Sequence, residues 1–225
     1  MQKFQRQTSP LKREVPRKTK ARNSKLRNLA LNLAVMRMLA SLKKAKGFLG
    51  ISEEDVSQDI ELLAVLKAAS TAIEQRTKRS YEYKLYQQTL NGSGTQFLQL
   101  RNYPIHSVPL LKVEGIEQGI ESFTIESENG MLFKRSGWPR GSRNIEVEYT
   151  AGYILPSDET GAEPATLPED IQLACILYAW IMLRDPVVRS ERVGNINVTY
   201  ADFDADGRLP GPVAALVAPY VGRWV

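Results

Sequence analysis

The side chains able to do chemistry are few. Cys175 is the only cysteine and His106 the only histidine. A cysteine nucleophile needs a base beside it, and His106 is the single candidate of the usual kind. Cys175 lies in an apolar run, where a thiol is most simply a small buried residue. One cysteine excludes an intramolecular disulfide framework and a Cys-rich zinc site, and one histidine excludes a His-based metal cluster. Asp202, Asp204 and Asp206, followed by Gly207, match the start of a calcium loop, in which converging carboxylates and a glycine turn hold the ion. Position twelve is Val213 instead of a bidentate Glu, and Pro210 and Pro212 occupy ligand and exit-helix positions, so a polar turn is expected. Asn91-Gly92-Ser93-Gly94 lacks the Lys-Ser/Thr of a phosphate loop and reads as a turn. Glu126 and Glu128 alternate on what should be one exposed strand face. No catalytic residue, cofactor site or metal site is assigned from these patterns, and the expectation is a non-enzyme.

Charge divides the chain sharply. Its 225 residues carry a net +5 and are 43% hydrophobic, which suffices for a proper core. Residues 1–46 hold 14 basic residues and one acid, Glu14, whereas residues 47–225 hold 16 basic residues and 24 acids. The first part is +13 and the rest −8. The longest apolar run, Ile171 to Leu183, is too short to span a bilayer, and the polar, basic start does not support secretion. A soluble intracellular protein without membrane partners is expected.

Periodicity supplies the elements. Residues 1–22 are polar and basic with two prolines and, alone, should be disordered. From Asn23, Leu26, Leu29, Ala30, Leu33, Met36 and Ala40 fall at helical spacing among basic residues, predicting a basic amphipathic helix that ends near Gly47. Ser52-Glu53-Glu54-Asp55 reads as a capping box, and Val56, Ile60, Leu63, Leu66, Ala69 and Ile73 extend a helix from about Glu53 to about Thr77. Tyr81–Leu90 and Gln96–Leu100 then predict a hairpin across Asn91–Gly94. Further strands are expected at Val108–Val113, Ser122–Ile125, Met131–Phe133 and Asn144–Tyr149, making a small antiparallel sheet or sandwich. Thr166-Leu167-Pro168-Glu169 is a second capping box, opening an apolar helix with Leu173, Ile176, Leu177, Trp180 and Ile181 that stops at Pro186, and this helix should lie mostly in the core. Gly194–Tyr200 is a strand or extended arm, and a short helix runs from Val213 to about Tyr220. The fold class is α+β: a helical bundle with an inserted small antiparallel β-sheet and a basic N-terminal extension. The expected division is an arm over 1–48, a core over 49–185 and a C-terminal arm over 186–225.

Four stretches, in this order, resemble the head–tail connector (adaptor) proteins of long-tailed bacteriophages. They are Ile73-Glu74-Gln75-Arg76-Thr77-Lys78-Arg79-Ser80-Tyr81; Leu100-Arg101-Asn102-Tyr103-Pro104-Ile105; Val147 to Tyr153 with the Leu167–Ile171 helix start; and Ser190 to Gly194 with Val198-Thr199-Tyr200, Leu209-Pro210 and Leu216 to Tyr220. The resemblance covers roughly residues 52–222. It implies a structural protein forming a ring, typically twelve-membered, beneath the portal vertex, in the virion at the head–tail junction after assembly in the host cytoplasm. The implied partners are copies of itself, the portal protein, a neck, stopper or tail protein, and genomic DNA passing through the channel. It also implies a C-terminal arm reaching the portal, with Arg189, Arg192, Tyr200, Tyr220, Arg223 and Trp224 as candidate contacts. Removing residues 186–225 should then abolish docking and leave a folded core.

The long basic extension departs from the family's short start. Lys12, Arg13, Arg17, Lys18, Lys20, Arg22, Lys25 and Arg27 fall within 16 positions. These residues could contact DNA, dock on an acidic protein such as a portal ring, or simply solubilise the chain. Contact with about six to ten phosphates would make DNA affinity fall on the order of a thousandfold between low and moderate salt. A nucleic-acid-binding protein acting through this arm is the alternative function. An acidic body suits a channel lining that repels phosphate and lets DNA slide, or is an ordinary acidic surface.

Overall fold

A computed structural model describes residues 37–183, 190–193, 196–199 and 209–222. In chain order the elements are α1 (Leu42–Leu49), α2 (Asp59–Thr77), β1 (Lys84–Gly92), β2 (Phe97–Gln99), β3 (Ile105–Val113), β4 (Ile116–Glu117), β5 (Thr124–Glu126), β6 (Met131–Phe133), β7 (Gly141–Ala151), α3 (Glu169–Leu183), β8 (Ser190–Val193), β9 (Ile196–Thr199) and α4 (Gly211–Val217). The class is α+β. One apolar cluster joins residues of all four helices, and a second lies between two small antiparallel sheets.

The first helix differs from its expected span. Residues 23–36 lie outside the described residues, and Arg37–Ser41 are not helical. Met38, Leu39 and Ala40 are buried in the helical cluster, and the Leu39 amide donates to Ser70 Oγ at 3.0 Å. A helical path would turn one of these three residues outward and take that amide for itself. Ser41 Oγ then accepts from the Lys44 amide at 3.2 Å, starting α1, and Gly50 ends it at φ 70°. Gly47, the expected stop, lies inside the helix.

The capping box at Ser52 forms no helix start either. Lys46, only 4% exposed, donates its ammonium to the Glu53 and Asp55 carbonyls at 3.3 and 2.9 Å and pairs with Asp59. Those carbonyls would otherwise accept from amides one turn later. The segment stays in turns, α2 begins at Asp59, and Val56 is 70% exposed, away from the predicted stripe. Leu62, Leu63, Leu66, Ala69 and Ile73 do form that stripe, and the end at Thr77 is where the sequence put it.

Nor do β1 and β2 form a hairpin. β1 pairs with β7 (Leu85 opposite Thr150, Leu90 opposite Ile145), while β2 pairs with β6 (Leu98 opposite Leu132). The sheets have strand orders β1-β7-β3-β4 and β2-β6-β5, and Asn91–Gly94 crosses between them. The turn residues serve the long strand. Asn91 Oδ1 accepts from the Arg143 amide, and the Gly92 amide donates to Asn144 Oδ1. A Cβ on Gly92 would overlap the Pro139 carbonyl oxygen. Leu98 and Leu132 of one sheet and Leu111, Ile145, Val147 and Tyr149 of the other bury against each other as a small sandwich. The strand expected at Ser122–Ile125 starts at Thr124, after a 3-10 turn over Ile120–Ser122.

Thr166 does not cap α3. Its Oγ1 accepts from the Ile154 amide at 2.9 Å and its own amide donates to the Ile154 carbonyl, fixing the connection from the sandwich. The Pro168 carbonyl accepts from Ile171 and Gln172 instead. The buried side of α3 is Ile171, Gln172, Ala174, Cys175, Ile176 and Ala179, while Leu173, Leu177, Trp180 and Ile181 are half-buried. The sequence is apolar all round and so could not select the inward face; the small residues let α2 and α4 approach closely, and Trp180 is left at the margin. Gly194–Tyr200 contributes β9, paired antiparallel with β8. The final helix forms as α4, continued by a 3-10 turn over Ala218–Tyr220.

Candidate assembly site

The chain leaves α2 through Lys78, which adopts the left-handed conformation (φ 56°) and directs Arg79 inward. Arg79 is 3% exposed, and its guanidinium carbon lies 3.4 Å from the centre of the Tyr103 ring and 4.8 Å from that of Tyr81. Its Nη2 donates to the Tyr103 carbonyl. Among the described residues no carboxylate lies within ion-pairing distance of it, so ring faces and backbone dipoles balance this charge.

Neighbouring polar groups complete a junction between the helices and the sandwich. Glu74 Oε1 accepts from Ser80 Oγ and from the Tyr81 amide, and Asn102 Oδ1 accepts from the Ser80 amide at 2.8 Å. The Tyr149 hydroxyl accepts from the Asn102 amide at 3.2 Å and donates to Gln88 Oε1 at 3.0 Å. The Tyr153 amide donates to the Tyr81 carbonyl at 2.7 Å, and the Gly152 amide to the Pro104 carbonyl at 3.0 Å. Gly152 sits at φ 101°, where a Cβ would collide with the Glu82 carbonyl, so this crossing requires glycine. Tyr220 closes the junction edge-on against Tyr81, with ring centres 6.5 Å apart. Burial raises the phenol pKa of Tyr81, Tyr149, Tyr153 and Tyr220. Each of the four stretches quoted from the sequence supplies a partner here.

The chemically suggestive residues are not brought together. Cys175 is wholly buried in the helical cluster, with Sγ 3.3 Å from Ser70 Oγ, and burial pushes its pKa up to about 11. His106 is exposed on β3, its Nε2 2.8 Å from the Gly152 carbonyl oxygen and its ring edge-on to Tyr83. Glu126 is half-buried in β5 and Glu128 is exposed in the turn after it. Among the described residues no group of three or more His, Cys, Asp or Glu is placed to hold a metal ion, and no helix is long and apolar enough to cross a membrane.

Of the contacts assigned from the sequence, Tyr220 alone is described with its side chain. Arg192 lies in β8, described in its backbone. Lys12, Arg13, Arg17, Lys18, Lys20, Arg22, Lys25, Arg27, Arg189, Tyr200, Arg223 and Trp224 lie outside the described residues, as does the Asp202–Gly207 turn. Sequence reasoning missed the role of Arg79, although its position just after a helix end and among tyrosines was a usable signal. It also missed a groove of about 570 Å³ between the start of α1, the start of β1 and residues 153–163. Its lining combines the apolar Met38, Leu42, Leu63, Tyr153 and Leu155 with the carboxylates Glu82, Asp158, Glu159 and Glu163. Elsewhere, Phe48, Leu85, Phe97, Ile116 and Ile120 are large exposed apolar residues.

The fold thus defines a layered α+β protein whose buried polar groups tie its layers together. Residues 38–217 match the family model described as Head completion protein, and the chain belongs to that family, a connector-type group of phage head–tail proteins. Three solved structures are similar in outline. They are titled as the neck of an empty gene transfer agent particle with C6 symmetry (20% identity, 82% of this chain and 90% of that chain, TM-score 0.47), the virion of the native particle (20%, 82% and 90%, 0.49) and the neck of the native particle with C12 symmetry (18%, 73% and 84%, 0.44). No curated protein matches the chain.

Proposed function

We propose that this protein is a ring-forming adaptor beneath the portal of a filled phage capsid, extending the DNA channel and docking the neck or tail. The observation that carries this reading is the family match across residues 38–217, which takes in both apolar clusters and the junction between them. Copies of the chain, twelve in the resembling proteins, form the ring through exposed apolar residues and free strand edges. The C-terminal arm, with Arg189, Arg192, Tyr200, Tyr220, Arg223 and Trp224, meets the portal. Near its end it is tied to the body by Tyr220 against Tyr81 and by the Gly222 amide donating to the Thr77 carbonyl. The net −8 of residues 47–225 suits a lumen along which DNA slides without adhering. The protein resides in the virion after assembly in the host cytoplasm.

Electron micrographs of the protein alone and mixed with its portal test this reading. Homogeneous rings that cap portals are expected, and monomers in both samples would overturn it. The +13 of residues 1–46 supports a second reading, nucleic-acid binding through the arm. Salt-sensitive DNA binding that is lost on deleting residues 1–36, without rings, would favour that reading.

A further inference from the structure

The groove opens where the described chain begins. Arg37 lies on its wall, paired with Glu82, so the 36 residues before it enter the body at this point. Of the four carboxylates in its lining, Glu82 meets Arg37 and Lys84, and Asp158 accepts from the Lys43 amide at the start of α1. Glu159 and Glu163 are exposed, and neither carboxylate has a partner among the described residues. The remaining lining is mainly apolar, and about 570 Å³ falls within the range of binding clefts. The segment that enters here has the complementary chemistry. Leu26, Leu29, Leu33 and Met36 fall at helical spacing, a stripe of roughly 15 Å if helical, and Lys20, Arg22, Lys25 and Arg27 precede or flank it with no acid between Glu14 and Glu53.

We propose that residues 23–36 seat in this groove of their own chain, with the Leu26–Met36 stripe on its apolar lining and Lys25 and Arg27 against Glu159 and Glu163. Seated so, the innermost part of the basic arm is neutralised by the body and not by nucleic acid. The outer cations, Lys12 to Lys20, stay free for a partner. This does not depend on the ring reading, since the contact lies within one chain.

Zero-length carbodiimide coupling of the full chain, in an equal mixture of isotope-labelled and unlabelled protein, tests it. Lys25 joined to Glu159 or Glu163 in peptides of one isotope only is the expected product. Mixed-isotope peptides would place the arm on a second copy, and absence of any such link would leave the groove without this occupant; either result overturns the proposal. In the E159K/E163K variant, tryptic cleavage after Lys25 and Arg27 should accelerate at least tenfold under native conditions. Unchanged cleavage in a variant with wild-type thermal unfolding would also overturn it. Rings without the intramolecular link would sink this proposal alone, and the link without rings would sink the adaptor reading alone.

Discussion

The Arg79 guanidinium stacks on Tyr103 with its carbon 3.4 Å from the ring centre, joining the end of α2 to the segment that enters β3. A buried cation so placed exchanges its hydration for a ring face and a carbonyl, and its planar shape is part of the fit.

Replacing Arg79 therefore tests the junction. Arg79→Ala should cost about 3 kcal/mol, combining a desolvated cation–π contact of about 2 with lost packing of the stem. The midpoint of thermal unfolding should fall by roughly 6–12 °C. Arg79→Lys keeps the charge but not the plane and should recover less than half of that loss. Full recovery with lysine would show that charge alone matters.

Lys46 and Asp59 offer a second test. Lys46→Met leaves a partly buried carboxylate and two carbonyls without their donor, so a loss of about 3 kcal/mol in urea unfolding is expected. Adding Asp59→Asn should restore part of it, because the uncompensated charge goes. A double variant worse than the sum of both single changes would contradict the pairing.

Removing one hydroxyl probes the link within the sandwich. Tyr149→Phe takes the hydroxyl from the Asn102 amide and from Gln88 Oε1, which keeps only the Arg101 amide as donor. About 1–2 kcal/mol should be lost while the ring keeps its place. The far-UV dichroism spectrum should not change.

Cys175 makes stability depend on alkaline pH. Its thiol pKa rises from about 9 in the unfolded chain to about 11 in the fold. The folded state thus holds the proton more tightly between these values. The stabilisation is fully present below pH 9 and is lost as pH rises through 11, on the order of 2–3 kcal/mol. Urea midpoints at pH 8 and pH 10.5 should differ less for Cys175→Ala than for the natural protein. At pH 8 a thiol reagent should react only as fast as the chain opens.

Truncation before residue 186 will not give the folded core expected from the sequence. Val213 and Val217 of α4, with Leu209, are buried in the helical cluster, so deleting residues 186–225 opens that core. Such a protein should bind a hydrophobic dye and lose cooperative unfolding. Deleting only residues 223–225 leaves Leu209, Val213 and Val217 in place and should keep unfolding cooperative and dye binding low, which makes it the cleaner variant for measuring portal docking.

Local pattern carried most elements. The end of α2, β6 and the final helix lie where periodicity and turn residues put them, because each depends on neighbours a few positions apart. The choice of partners was not local. Asn91–Gly94 has turn chemistry, yet its hydrogen bonds go to residues 143 and 144, which redirects the chain between sheets. Likewise, Lys46 reaches across to occupy the carbonyls that the Ser52 start would have used.

By itself the sequence determined the α+β class, the basic segment against an acidic body, the scarcity of reactive side chains and the stretches that carry the family likeness. Tertiary structure alone decided that those stretches converge on Arg79, that the small side of α3 faces inward, and that an acidic groove opens where the arm arrives. The physical reason is range. Propensity and capping act over one or two turns, whereas a buried cation, a close helix contact or a groove is made by residues tens of positions apart, once burial has fixed which faces meet.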